Sequence, residues 1–227
     1  MKFIWEYFSK FEKLLWSLSV IFIVISFMIY DGQNYLTLTA SLIGVTSLIF
    51  NAKGNPAGQA LMIVFSGLYG FISWTFSYYG EMITYVGMTA PMSFLALISW
   101  IKNPYKGNKS EVAVGNLTPR SLCLSILLTL GVTTVFYYIL DYFNTANLIL
   151  SAISVATSFF AVSLTFLRSP YFAIAYASND LVLIALWILA TLENSSYISV
   201  VICFIVFLIN DIYGFCNWQK IKKRQNK

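Results

Sequence analysis

The chain has 227 residues, of which 59% are hydrophobic and 10% are charged. A typical soluble domain has roughly 25% charged residues, so this composition excludes an ordinary soluble protein and indicates a membrane protein. The net charge of +5 does not indicate a nucleic-acid-binding protein, because the cations lie between and beside apolar stretches, where they set membrane topology.

Eight apolar stretches follow one another along the chain, and about 20 apolar residues suffice for a helix to cross a bilayer. They lie near 14–30, 36–50, 57–79, 82–101, 120–140, 145–167, 171–192 and 197–217. Their continuous apolar runs disfavour a transmembrane barrel, whose strands alternate in polarity. The sequence therefore predicts an all-α integral membrane protein with eight transmembrane helices.

The charged residues between these stretches sort by sign. All fourteen Lys and Arg residues can be placed on one side of the membrane, before the first stretch, at alternate breaks and after the eighth. The other breaks carry only acids, namely Asp31, Glu81, Asp141 and Glu193. Because positive loops stay in the cytoplasm, this pattern predicts that both termini are cytoplasmic.

A weak internal repeat divides the chain. Asp31, Asn34 and Leu38 match Asp141, Asn144 and Leu148 at an offset of 110, and Trp100 corresponds to Trp218. The two copies have the same orientation in the membrane, as in transporters with parallel repeats. The predicted units are an N-terminal segment with an extra transmembrane helix (1–33), a first three-helix repeat (34–101), a cytoplasmic loop and linking helix (102–143), a second three-helix repeat (144–218) and a basic cytoplasmic tail (219–227).

Two Asn-Asp pairs interrupt apolar sequence in the last two stretches, Asn179-Asp180 and Asn210-Asp211. Ionisable groups in membrane helices are costly and point to function. Amides and aromatic rings suit a polar aromatic solute, because amides read hydrogen-bonding edges and ring faces stack or attract cations. The predicted substrate-binding residues of the second repeat are Asn179, Asp180, Trp187, Asn210, Tyr213 and Asn217.

The first repeat offers counterparts to this set. Gln59, Tyr69 and Trp74 lie along the third stretch, and we predict that they complete the substrate site. Pro91 interrupts the fourth stretch and is a possible gating hinge, because a proline frees a backbone carbonyl and permits a kink.

Other interpretations compete with a transport site. Polar residues in membrane helices often hydrogen-bond neighbouring helices and serve only packing. An intramembrane aspartyl enzyme would need two adjacent carboxylates, which Asp180 and Asp211 could supply. The chain has no histidine and no motif for a metal or cofactor, so an enzyme, a metal site and a cofactor are not predicted.

The chain resembles the PnuC family of bacterial vitamin transporters from about Asn34 to Trp218. The resemblance is carried by NAKGNPAGQ, YYGEMITYVGMTAP and VICFIVFLINDIYGFCNW, among other segments. It implies uptake of nicotinamide riboside by facilitated diffusion, with phosphorylation in the cytoplasm trapping the product. It also implies a multi-pass protein of the bacterial inner membrane, a homotrimer, and a three-plus-one-plus-three helix core like that of the SWEET proteins but full length.

The resemblance has one departure, at the start of the seventh stretch. Many members carry a Trp-x-x-Trp-x-x-x-Asn pattern there, whereas this chain has Phe172 and Ala175 before Asn179. Tyr171, Tyr176 or Trp187 could supply the missing aromatic face. Another ring-bearing vitamin or nucleoside, such as thiamine, riboflavin or a deoxynucleoside, is therefore an alternative substrate.

Overall fold

A computed structural model of the chain describes residues 7–75, 79–192 and 194–226. Eight helices within these residues are long and apolar enough to cross a membrane, which confirms the predicted all-α membrane fold. They are α1 (Lys10–Tyr30), α2 (Tyr35–Ala52), α3 (Ala57–Thr75), α4 (Tyr79–Lys102), α5 (Pro119–Tyr142), α6 (Leu148–Phe166), α7 (Phe172–Thr191) and α8 (Ile198–Gln225).

Side-chain caps explain where several helices begin. Ser9 and Glu12 form a capping box at the start of α1, and Thr118 and Ser121 form one at the start of α5. Such boxes satisfy backbone N–H groups that have no partner within the helix. Helix α8 continues well beyond the predicted span and includes most of the residues assigned to the basic tail. Glu193, Lys2 and Lys227, which entered the charge pattern, lie outside the described residues.

The hydrophilic break between α4 and α5 contains a short hairpin. Strands β1 (Pro104–Tyr105) and β2 (Asn108–Val112) pair antiparallel around a two-residue turn. Gly107 and Lys106 both have positive φ there, at 81° and 47°, as a tight hairpin turn requires. We call the end of the bundle that carries this hairpin the basic end, and the opposite end, with Asp31 and Asp141, the acidic end.

Two buried tryptophans join the two halves of the molecule at the basic end. The Trp100 indole N–H donates to the carbonyl of Thr165 at 2.8 Å, and the Trp218 indole N–H donates to the carbonyl of Asn51 at 2.8 Å. Trp100 lies near the end of α4, Trp218 lies about two turns before the end of α8, and the acceptors lie near the ends of α2 and α6. In each half, therefore, an indole N–H donates to a carbonyl near the end of a helix in the other half.

A second pair of hydrogen bonds follows the same reciprocal pattern one residue away. The Ser99 hydroxyl donates to the Phe166 carbonyl at 2.8 Å, and the Asn217 amide donates to the Ala52 carbonyl at 2.8 Å. We call these four bonds the cross-repeat bonds. They are what two like-oriented repeats facing each other across an axis along the membrane normal would make.

The segment 112–115, just after the hairpin, bridges both halves. Val112 N–H donates to the Gly54 carbonyl at 2.9 Å, and Gly115 N–H donates to the Arg168 carbonyl at 2.9 Å. Gly54 and Arg168 occupy equivalent turns after α2 and α6, and both have positive φ, at 68° and 56°. The Val112 side chain is fully buried with Trp100 and Trp218. This segment, which we call the bridging segment, therefore packs across both halves at the basic end.

Substituting Gly115 with alanine should destabilise the contact between the bridging segment and the turn after α6. A Cβ atom there would lie 2.1 Å from the Leu167 carbonyl oxygen, and a backbone atom cannot move away as a flexible side chain can. We expect a loss of about 1–3 kcal/mol in the free energy of unfolding, measured by thermal unfolding of the detergent-purified protein. Gly67→Ala is the control, because nothing lies within 4 Å of its Cβ position. Equal stability of the two variants would contradict this prediction.

Helix α1 packs against α2 and α8 through polar side chains. Glu12 pairs with Lys53 at 3.2 Å and accepts a hydrogen bond from the Tyr213 hydroxyl at 2.9 Å. Further along α1, the Ser19 hydroxyl accepts from the Asn210 amide at 2.9 Å. Polar contacts of this kind fix the position of one membrane helix on another.

Candidate functional site

Three adjoining cavities lie toward the acidic end, between the two halves of the bundle. The central cavity has a volume of about 40 Å³, and the two side cavities have volumes of about 140 Å³ and 280 Å³. Glu81 and Trp187 line all three. Since pockets for drug-sized ligands usually hold about 300–1,000 Å³, the central cavity must widen before a nucleoside-sized solute can pass.

Trp187 is the aromatic wall that the cavities share. It lies on α7, is 7% exposed, and its ring centroid is 5.3 Å from that of Tyr197. Leu183 and Asn179, one and two turns earlier on the same helix, line the central cavity with it. The helical repeat of 3.6 residues places these three positions on one broad face.

Asn179 contributes an oriented amide to the central cavity. Its side-chain oxygen accepts from the Thr157 hydroxyl at 2.9 Å and from the Ser154 hydroxyl at 3.4 Å. These bonds join α6 to α7. Among the described residues the amide nitrogen has no hydrogen-bond partner, so its N–H groups are available to a guest molecule.

Hydroxyl groups on α6 and α4 also line the central cavity. Ser151, Ser154 and Ser158 recur along one face of α6, and Thr84 and Thr89 come from α4. None of these residues was among the predicted site residues. The spacing of the three serines by three and four residues is the signal that could have identified it, because it marks one face of a helix.

Helix α4 changes its winding where it lines the cavity. Residues Thr84–Thr89 form a π-helical segment, and the Ala90 N–H donates to the Tyr85 carbonyl five residues back. Such segments are frequent at functional sites. Pro91 follows directly, but its own side chain is exposed and lies outside the three cavities. Its predicted gating role stays a prediction.

Glu81 is a functional candidate that the sequence indicated only as a marker of topology. The structure places it in the first turn of α4, beside the 140 Å³ cavity that Ser73 also lines. Its carboxylate oxygen Oε2 is buried and has no hydrogen-bond partner among the described residues. The signal in the sequence was a lone acid beside tyrosines and apolar residues, in YYGEM.

Asp31 adds acidic character to the rim. It follows α1 and lines the 140 Å³ cavity. Burial raises the pKa of the Asp31 carboxyl, and a backbone hydrogen bond from Asn34 opposes that rise. Among the described lining residues of the three cavities there is no Lys or Arg.

Of the other predicted site residues, Tyr69 lines a side cavity, with its ring centroid 4.6 Å from that of Tyr85. Asp180 and Asp211 are buried neighbours whose carboxyl groups interact with each other, and Asp180 Oδ2 lacks a partner among the described residues. Neither carboxyl lines any of the three cavities.

The remaining predicted residues lie away from the cavities. Asn210 faces Ser19 of α1, and Tyr213 and Asn217 line a separate pocket of about 710 Å³ at the basic end. Gln59 donates to the Asn51 side chain at 2.9 Å, and Trp74 is 54% exposed on the surface. The structure therefore brings Asn179, Trp187 and Tyr69 to the cavities and leaves substrate binding by the others a prediction.

No metal or cofactor site is apparent in the part of the chain that the structure describes. It contains no group of three His, Cys, Asp or Glu side chains placed to hold a metal ion. The cavities can instead offer a ring face, an oriented amide, hydroxyl groups and a carboxylate. Groups of these kinds can hydrogen-bond to a polar organic molecule and stack against its ring.

Comparison with known proteins places this arrangement in a family. A family profile described as nicotinamide mononucleotide transporter matches residues 34–220. The chain is 25% identical over 226 residues to the nicotinamide riboside transporter PnuC of Neisseria mucosa, covering 98% of this chain and 84% of the relative. It is 23% identical over 195 residues to the PnuC of Haemophilus influenzae, covering 86% and 83%.

A solved structure shares the fold. The crystal structure of the vitamin B3 transporter PnuC superposes with a TM-score of 0.82 and 24% sequence identity, covering 96% of this chain and 94% of the other. The profile match spans most of the chain, including every helix that lines the cavities. The chain therefore belongs to the PnuC family of membrane transporters.

Proposed function

We propose that the protein takes up nicotinamide riboside across the bacterial inner membrane by facilitated diffusion. The observation that carries this proposal is the shared lining of the cavities by Trp187 and Glu81 without any Lys or Arg among the described lining residues. The pyridinium ring of the riboside is cationic and flat, so an indole face attracts it.

The same lining bears on whether the solute carries a phosphate. The family profile is named for the mononucleotide, whereas the two curated relatives are named for the riboside. A phosphate group is normally held by Arg, Lys or helix N-termini. Cavities lined by Glu81 and Asp31 and lacking cations favour the riboside.

Each chemical part of the riboside has a suitable partner in the central cavity. The ring can lie against Trp187, and the ribose hydroxyls can bond to the serine and threonine hydroxyls of α6 and α4. The free N–H groups of Asn179 can donate to an oxygen of the solute. The other predicted residues remain proposed contributors to substrate binding, either directly or in the conformations that follow cavity opening. They are Asp180, Asn210, Tyr213, Asn217, Gln59, Tyr69 and Trp74.

The proposed direction of transport follows from the charges. We place the basic end in the cytoplasm, with both termini there, so the cavities open to the outside. Phosphorylation in the cytoplasm then traps the product, because a phosphate group finds no Lys or Arg among the described lining residues of the three cavities. No coupling ion is needed when the product is removed in this way.

The proposed architecture is the extra helix α1 followed by three, one and three helices. The cross-repeat bonds support it, because α2–α4 and α6–α8 exchange equivalent contacts. Helix α5 is then the linking helix, and most of its side chains are exposed at the periphery of the protein. A homotrimer is proposed from the family resemblance, and native mass determination in detergent would test it.

The decisive experiment is uptake into proteoliposomes. Purified protein should equilibrate labelled nicotinamide riboside without a proton or sodium gradient, and an uncoupler should leave the rate unchanged. Competition by thiamine, riboflavin, deoxynucleosides and nicotinamide mononucleotide would test the substrate. Stronger competition by one of these than by unlabelled riboside would overturn the proposed substrate.

Replacing Asn179 with alanine should weaken binding of the riboside. The variant loses N–H donors whose contribution is about 0.5–1.5 kcal/mol per hydrogen bond, so we expect Kd to rise about three- to tenfold. Calorimetry on the detergent-purified protein would measure it. Ser178→Ala is the matched control, because this neighbouring side chain is exposed and bonds only its own helix at Ile174. An unchanged Kd for Asn179→Ala would remove this residue from the site.

A further inference from the structure

The carboxylate of Glu81 has no counter-charge among the residues that the structure describes. Its Oε2 atom is buried and unpartnered, and no Lys or Arg is among the described lining residues of the three cavities around it. Leaving a carboxylate without a cation in a low-dielectric setting is unfavourable. The N-terminal end of α4, where Glu81 lies, offsets part of that cost, because a helix N-terminus favours negative charge.

Aromatic rings surround this carboxylate. Trp187 accompanies Glu81 in all three cavities, Tyr85 joins them in the central cavity, and Tyr69 and Tyr197 join them in the 140 Å³ cavity. Ring faces attract weakly hydrated organic cations. A metal ion such as Ca²⁺ would need six to eight oxygen ligands, and the described residues supply no acidic cluster for it.

We propose that Glu81 is the counter-charge that selects cationic rings over neutral rings of the same shape. This inference rests on the proposed function and adds the residue and the physical basis of its selectivity. Because Glu81 and Trp187 border every one of the three cavities, a solute that moves between them passes both groups. The carboxylate opposes the ring's charge while the indole contacts its face.

A matched pair of solutes isolates the charge. Nicotinamide riboside has a cationic pyridinium ring, and its reduced form has a neutral dihydropyridine ring on the same ribose. We expect the wild-type protein to bind the cationic form at least about tenfold more tightly, a difference of about 1.4 kcal/mol. Binding would be measured by calorimetry on the detergent-purified full chain, with uptake into proteoliposomes as a second readout.

Glu81→Gln removes the charge and keeps the shape of the side chain. We expect this variant to lose about tenfold in affinity for the cationic ring and to keep its affinity for the neutral ring. Glu81→Asp retains the charge and should keep the cationic preference even if the glutamine variant folds poorly. Asp141→Asn is the control, because this exposed acid at the same end lines none of the three cavities.

The outcomes separate this inference from the proposed function. Equal wild-type affinity for the two rings, or an equal loss of both affinities in Glu81→Gln, would overturn the role of Glu81 and leave riboside transport intact. The same loss of cationic preference in Asp141→Asn would assign the effect to general surface charge and also overturn it. A wild-type protein that binds neither ring would overturn the proposed function together with this inference.

Discussion

Trp218→Ala should lower the free energy of unfolding by about 4 kcal/mol, the range found for large aromatic residues removed from a packed core. The Trp218 side chain is 0% exposed, and its ring centroid lies 4.9 Å from that of Phe172 and 5.4 Å from that of Trp100. Alanine removes these contacts and leaves the Asn51 carbonyl without its indole donor. The loss therefore combines a cavity with an unsatisfied buried acceptor.

Thermal and denaturant unfolding of the detergent-purified protein would measure this change. Trp74→Ala is the control, because that side chain is 54% exposed and should have little effect on stability. Trp218→Phe retains most of the packing and loses the hydrogen bond, so it should fall between wild type and alanine. Similar stability of Trp218→Ala and Trp74→Ala would contradict the role assigned to the cross-repeat bonds.

Trp187→Ala should have the largest effect on transport. The substitution removes the aromatic wall common to the three cavities. Loss of a desolvated cation–π contact of about 2 kcal/mol corresponds to roughly a thirtyfold loss in affinity. Initial rates of riboside uptake in proteoliposomes, measured over a range of concentrations, should therefore show a raised half-saturation concentration.

A graded series tests whether the ring face is responsible. Trp187→Phe keeps a smaller ring and should retain part of the affinity, whereas Trp187→Leu keeps bulk without a ring and should behave like alanine. Tyr138→Ala is the control, because this exposed ring of α5 lines none of the three cavities, and it should transport as the wild type does. Full transport by Trp187→Leu would indicate that only apolar bulk matters at this position.

Much of the fold was predictable from the sequence because hydropathy and charge placement act over whole segments. Eight apolar stretches required eight helices. The internal repeat, which stays a prediction, aligned Trp100 with Trp218, and each of these indoles donates to a backbone carbonyl of the other half. The hairpin at 104–112 was not predicted. A turn such as Lys106-Gly107 forms a hairpin only when the residues on either side of it can pair as strands.

The candidate site was predictable only in part. Neighbouring helical residues point about 100° apart, so an Asn-Asp pair does not reveal which member faces a cavity. The structure turns Asn179 to the central cavity and leaves Asp180 outside it. Asn210 hydrogen-bonds to Ser19 of α1. The periodicity of α8 does not show where α1 packs against it. Glu81 was missed because an acid near a helix end also serves topology.

The reciprocity of the cross-repeat bonds has a consequence for leakage. If the two halves separated at only one of the tryptophan bonds, its indole N–H and its carbonyl would both lose their hydrogen-bond partner. Each buried polar group without a partner costs about 1–3 kcal/mol. Partial separation therefore carries this cost for two groups. Complete separation instead lets water reach all four donor–acceptor pairs at once. The passage should accordingly switch between shut and open in a single step, with little time spent in half-parted states that would let ions slip through.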